Sequence, residues 1–175
     1  MTRRGDEQHR PYRFHGFADW LLEDWDDACN SLGLKHFIQG GTCLGFVRDG
    51  DYTTSDGDID VGIIPQGDPK KTFTALRTAL EDRGLTYGDQ TTLGSSRMYR
   101  HDISLDITWC HLNGRILTRY LGRFDTVEYK GRTYNTPAPI HGYLAEKYGG
   151  DWRTPKTYYL EKCKICTGEY KHGET

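Results

Sequence analysis

The chain has 175 residues, the size of one ordinary domain, and 23 Lys+Arg against 25 Asp+Glu leave a formal charge of −2. That balance excludes a protein whose affinity rests on a basic surface meeting a nucleic-acid backbone. No apolar run reaches the roughly 18–20 residues of a membrane span, and residues 1–11 have no apolar stretch behind them to make a secretory signal.

A single soluble, cytoplasmic domain over 1–175 is therefore expected, with its core at about 12–165. Only 35% of the chain is hydrophobic, and 12 Tyr, 6 Phe and 4 Trp carry much of that share, since large rings bury much area per residue. Residues 14–32 set Phe14, Phe17, Leu21, Trp25, Ala28 and Leu32 at steps of three and four among acidic residues. This predicts an amphipathic helix ended by Gly33, with Trp20 and Trp25 both read as core. A strand over 36–39 follows, broken by Gly40-Gly41; 42–47 read as a short helix and Asp49-Gly50 as a turn. Residues 58–64, Asp-Ile-Asp-Val-Gly-Ile-Ile, alternate and then turn apolar, as a partly buried strand would.

Asp68-Pro69 supplies a cap and a first-turn proline for the next helix, whose stripe is Phe73, Leu76 and Leu80 and whose end is Gly84. Residues 85–88 and 96–100 are strand candidates. In 102–109, Ile103, Leu105 and Ile107 alternate with Ser104, Asp106 and Thr108, so one face is apolar and the other polar. Runs 126–129 and 132–135 flank Lys130-Gly131 as a hairpin, and 139–148 form a last helix stopped by Gly149-Gly150. The mixture predicts an α+β fold, a mixed sheet flanked by helices.

The chemistry concentrates in Ser55-Asp56-Gly57-Asp58-Ile59-Asp60. Residues two apart on a strand share a face, so Asp58 and Asp60 project together. Two such carboxylates repel unless a cation lies between them, and hard oxygen ligands suit Mg²⁺ or Mn²⁺. Asp106, on the polar face of its own strand, is the natural third member if antiparallel pairing sets it beside them. Asp56 is an outer ligand or a turn cap with Ser55. A DxD alone is common in loops. Here it follows Gly40-Gly41-Thr42-Cys43-Leu44-Gly45, a glycine turn opening a helix, whose N–H groups can approach a phosphate. Gly40, Gly41 and Thr42 are thus candidate phosphate-binding residues. Turn, short helix, DxD strand and a later lone Asp follow the order of the polymerase-β-like nucleotidyltransferase fold.

Gly41-Thr42-Cys43-Leu44-Gly45-Phe46-Val47-Arg48 and Asp56-Gly57-Asp58-Ile59-Asp60-Val61-Gly62 together resemble the signature of the LicD family, which includes fukutin and fukutin-related protein. Glu128-Tyr129-Lys130-Gly131, Pro137, Tyr143-Leu144 and Tyr148-Gly149-Gly150-Asp151-Trp152-Arg153-Thr154-Pro155 resemble that family's later segment, so the likeness runs from 38 to 155. Two departures stand: Gly57 in place of an acidic residue, and an extra Gly before Asp151. The resemblance implies a metal-dependent transferase that moves a phospho-alcohol, such as phosphocholine or a polyol phosphate, from a CDP-linked donor to a sugar hydroxyl. Carried over by position, Asp58 and Asp60 would hold Mg²⁺ on the donor's diphosphate, and Asp106 would complete the metal site or take the hydroxyl's proton.

Arg48 reads equally as a phosphate clamp or an ion pair with Asp49 or Asp51. Arg97 and Arg100, near the Asp106 strand, face donor or acceptor charge or sit as surface arginines. Trp152 and Arg153 either wall a nucleotide site or form a packed Trp with a solvated neighbour. Cys163 and Cys166 form one CxxC, half of a structural zinc site, which Cys110, His111 or His172 would have to complete. Five cysteines in this spacing read as reduced thiols, and the seven histidines show no metal spacing. The competing reading keeps the fold: a small antibiotic-type nucleotidyltransferase, moving a nucleotide from an NTP to a hydroxyl with release of pyrophosphate. A silent binding module would not need three carboxylates on matched faces.

Overall fold

Helix α1 (Arg10–Ser31) lays Ala18, Leu21, Leu22, Trp25, Ala28 and Cys29 into the core, each at 0% exposure. The structure, a computed structural model, describes residues 10–54, 57–88, 94–110 and 118–156. Two expected core residues are corrected. Trp20 is 60% exposed because it sits on the helix face opposite that stripe, and Leu32, past the last turn, is 38% exposed. The side chain of Phe14, Asp56 and all of Tyr158, Tyr159, Cys163, Cys166, His111 and His172 lie outside the described residues.

Five strands form the central sheet: β1 (Lys35–Ile38), β2 (Asp58–Ile64), β3 (Thr86–Tyr87), β4 (Ser95–Arg100) and β5 (Ile103–Trp109). Their order is β1-β2-β5-β4-β3. The β2–β5 pair is parallel, against the expected antiparallel pairing. The chain leaves β2 through helix α3 (Pro69–Glu81), re-enters on β3, and reverses twice through antiparallel β3–β4 and β4–β5 pairs. That route brings β5 alongside β2 in the same direction. The α3 start is as expected, with the Asp68 carboxylate accepting from the Lys70 N–H at 2.9 Å.

Alternation divides the sheet into two unlike faces. Ile59, Val61, Ile63, Leu105, Ile107 and Met98 join α1 and the Leu76 and Leu80 side chains of α3 in one apolar cluster. Asp58, Asp60, Ser104, Asp106 and Thr108 point the other way and are half-buried.

Helix α2 (Gly40–Arg48) starts within the glycine pair and is buried on nearly every side. It can dock so closely because Gly45 has no side chain: a Cβ there would lie 2.5 Å from the Asp51 carbonyl oxygen. Strands β6 (Phe124–Tyr129) and β7 (Arg132–Pro137) form a separate hairpin leading to helix α4 (Ile140–Tyr148). The hairpin clasps the acidic face of α1. The Tyr129 hydroxyl is 3.0 Å from an Asp19 oxygen and 2.9 Å from an Asp51 oxygen, and Lys130 and Arg132 pair with Asp19 and Asp27. Phe46 stacks on Tyr129 at 3.9 Å, with Tyr52 and Tyr134 around them, an aromatic seam under the hairpin. Among the described residues no helix is long and apolar enough to cross a membrane.

Candidate active site

The register of β2 on β5 sets Asp60 opposite Asp106 and Asp58 opposite Ser104, one strand spacing of about 4.8 Å between backbones. On the far side of β5, Arg97 of β4 lies opposite Asp106. A row of charged groups therefore crosses three strands on the polar face.

The glycine motif is built around Asp60. Gly40 has φ +54, and a Cβ there would fall 2.0 Å from the Asp60 Oδ2 atom, so this position demands glycine both for its backbone and for its space. The Gly41 N–H donates to the same oxygen at 2.7 Å. The Asp60 N–H donates to Thr42 Oγ1 at 2.9 Å, and the Gln39 N–H to the Asp60 carbonyl at 3.0 Å. Gln39 adds a lock across the sheet, its side-chain amide donating to the Val61 carbonyl and to Thr108 Oγ1 at 2.8 Å. Gly40, Gly41 and Thr42 thus hold a carboxylate, with the Gly40 N–H donated at 3.1 Å to the Tyr143 hydroxyl of α4.

Lys147 lies one turn beyond Tyr143 on α4, is only 7% exposed, and sets its ammonium 5.7 Å from the Tyr143 ring centre. Burial pushes the Asp60 carboxyl above the usual carboxylate range; the Lys147 charge and the Gly41 N–H pull it back, the Asp106 charge pushes it up, and Arg97 pulls it down. Burial also pushes the Cys43 thiol up to about 12 and the Tyr143 phenol up to about 12, so both are neutral. A neutral buried thiol is no nucleophile.

Asp106 has a different partner. Arg97 makes a two-pronged contact with it, Nε donating to Oδ1 at 2.6 Å and Nη2 to Oδ2. The pair is open to solvent, with side chains 33% and 26% exposed. Among the described residues no group of three or more His, Cys, Asp or Glu is drawn together as a ready-made metal cage. Mg²⁺ does not need one, because it binds through one or two carboxylates and takes its other ligands from water and substrate phosphates. The donors here are hard carboxylate oxygens, and a guanidinium already stands as a cation on one of them. This set fits such an ion.

The other expected residues are placed elsewhere. Arg48 pairs with Asp49 through Nε at 2.9 Å and Nη2 at 2.8 Å, its side chain 6% exposed. Trp152 is packed into the core at 3% exposure against the His141 ring, with the Arg153 guanidinium 4.3 Å from its centre and Arg153 itself exposed. Arg100 bonds Asp24 and the Arg83 carbonyl and is structural. Sequence reasoning missed Lys147. Its signal is the four-residue step from Tyr143, which puts both on one face of α4.

A family model described as the nucleotidyltransferase domain of LicD, FKTN and FKRP matches residues 33–132; the segment 143–155 lies beyond that match. Among curated proteins, none matches the chain. Two solved structures of the antibiotic-resistance factor ANT(2'')-Ia share the fold. A solution structure gives a TM-score of 0.58 at 19% identity, covering 89% of this chain and 86% of that one. A crystal structure of the same factor in complex with adenylyl-2''-tobramycin gives 0.51 at 20%, covering 86% and 88%.

Proposed function

Because the chain belongs to the LicD/FKTN/FKRP nucleotidyltransferase-domain family, we propose that it is a Mg²⁺-dependent (or Mn²⁺-dependent) transferase that moves a phospho-alcohol from a CDP-linked donor to a sugar hydroxyl. The observation that carries this reading is the in-register pair Asp60 and Asp106, with Asp58 at the mouth of the same face. Asp60 and Asp106 would hold the ion, with Asp58 as a further ligand. Bound there, the ion would neutralise the donor's diphosphate oxygens and align them.

The acceptor oxygen bonds to the phosphorus that carries the alcohol, and the bond from that phosphorus to the CMP oxygen breaks. CMP leaves with the electron pair, and the hydroxyl proton passes to water. The loose transition state of phosphoryl transfer asks more for positioning and charge than for a strong base. This chain's residues supply the positioning: Gly40, Gly41 and Thr42 fix Asp60 from the backbone side, and Tyr143 fixes Gly40. The Lys147 charge favours the ionised form of Asp60, against the burial that raises its pKa.

A thermal-shift panel with Mg²⁺ and CDP-choline, CDP-glycerol, CTP or ATP tests this, since a ligand that binds only the native state raises the melting temperature. Stabilisation by a CDP-alcohol, followed by mass spectrometry of CMP and the phosphorylated sugar, is the expected result. The fold shared with ANT(2'')-Ia over most of both chains favours nucleotidyl transfer as the second reading. Stabilisation by ATP with an aminoglycoside, and none by CDP-alcohols, would establish it instead.

A further inference from the structure

Asp60 and Asp106 face each other across one strand step, yet their charges are met in opposite ways. The Asp60 carboxylate accepts from a fixed backbone donor, the Gly41 N–H, and feels the charge of buried Lys147. Asp106 is met by the Arg97 side chain from the neighbouring strand, in a fork that uses both carboxylate oxygens. Those are the oxygens a metal ion would need. The contact is part-buried, with side chains 33% and 26% exposed, so solvent and a small ion reach it on the surface of the sheet.

We propose that Arg97 is a resident counter-ion of Asp106 that a divalent cation displaces, and that the freed guanidinium then binds a phosphate oxygen of the donor. The inference rests on the metal-dependent reading above. Its physical basis is that the fork takes one lone pair on each Asp106 oxygen, and a divalent ion brought to the same carboxylate repels the guanidinium, so the two cations compete for one charge. The displaced fork, anchored one strand away, matches a phosphate as well as it matches a carboxylate. In this arrangement the empty site carries no uncompensated row of negative charge, and the cation and the arginine exchange partners when the anionic donor arrives. Arg97 would then be both a gate on metal loading and a contact to substrate.

The test needs no turnover. Mn²⁺ binding to the full chain is followed by the loss of the free-ion EPR signal, and CDP binding in Mg²⁺ by calorimetry, for wild type, Arg97→Gln and Arg100→Gln. Arg100→Gln removes the same charge from the same strand, but from a residue bonded to Asp24 and the Arg83 carbonyl. For Arg97→Gln, Mn²⁺ is expected to bind about two- to fivefold tighter, the range of a half-exposed ion pair. CDP is expected to bind about tenfold weaker, the loss of one charge-assisted contact. Arg100→Gln should change neither by more than screening allows.

Opposite signs for the two ligands are the signature, since a residue that merely braced the strand would weaken both. Unchanged or weaker Mn²⁺ binding in Arg97→Gln, with wild type binding the ion, overturns the proposal and leaves the metal reading standing. No Mn²⁺ binding by wild type, with or without CDP, overturns both. Should Arg97→Gln fail to fold, Arg97→Lys keeps the charge without the fork; it should show smaller changes of the same signs, and wild-type values for both ligands would overturn the exchange.

Discussion

The two faces of the central sheet are made by the same strands and obey different rules. On one, Ile59, Val61, Leu105 and Ile107 are packed away from water under α1 and α3, and each contributes by area alone. On the other, Asp60 and Asp106 are set opposite each other at a cost in free energy, offset by the Gly41 N–H, Lys147 and Arg97. The first face is where stability comes from; the second is where charge is held ready at stability's expense. Function and fold are thus separable by mutation, strand by strand.

The sharpest break between them is Asp60→Asn. It keeps the shape and the acceptor for Gly41 but removes the charge, and turnover should fall about 10³-fold. Its melting behaviour should move the other way. A carboxyl whose folded pKa lies above its ordinary 3.8 binds more protons folded than unfolded. The stability it contributes is therefore present at low pH and is lost as pH rises through the raised value. Asn escapes that loss, and chemical denaturation at pH 7 should show a gain of about 1 kcal/mol. Leu105→Ala is the mirror image: about 3 kcal/mol of unfolding free energy lost, with turnover per folded molecule unchanged, read from denaturation and active-site titration together.

Gly40→Ala joins the two faces. Its Cβ would meet the Asp60 carboxylate in a backbone conformation that disfavours alanine, so about 2 kcal/mol of stability and about 10²-fold in turnover should both go. Lys147→Met keeps the volume but removes the cation that lowers the Asp60 pKa. The ionised form then needs higher pH, and the acid limb of the pH–rate profile should move to higher pH. The smallest effect is expected at Tyr129→Phe, where losing the hydroxyl contacts to Asp19 and Asp51 should lower stability by about 1 kcal/mol with turnover intact.

What could be read along the chain was whatever repeats locally. The period-two alternation of 103–109 and the Asp68 cap of α3 each need only neighbouring residues to be recognised. The grouping of Asp58, Asp60 and Asp106 was legible for the same reason, since each carboxylate's face follows from its own strand. The direction of the β2–β5 pair was not, because it depends on the number of reversals between them, and two short strands intervene. Trp20 misled because a large ring suggests burial whatever its helical phase. The Arg97–Asp106 fork follows from the register of the tight β4–β5 hairpin and needs both strand ends fixed to be read, while the reach of the Lys147 charge to Asp60 joins α4 to β2, which no local spacing relates. The glycine turn suggests N–H groups open to a phosphate; in the structure those of Gly40 and Gly41 are donated to Tyr143 and Asp60, partners that no local pattern announces.

The Gly40–Tyr143 hydrogen bond, spanning 103 positions, gives the site an order of assembly. On the ribosome, α2 and β2 emerge long before α4, and such distant partners must wait on loop closure. Until α4 docks, Gly40 lacks its acceptor and Asp60 lacks the neighbouring lysine charge. A chain made as far as β5 therefore carries every carboxylate of the centre without the clamp that arms it, and competence arrives in one late step.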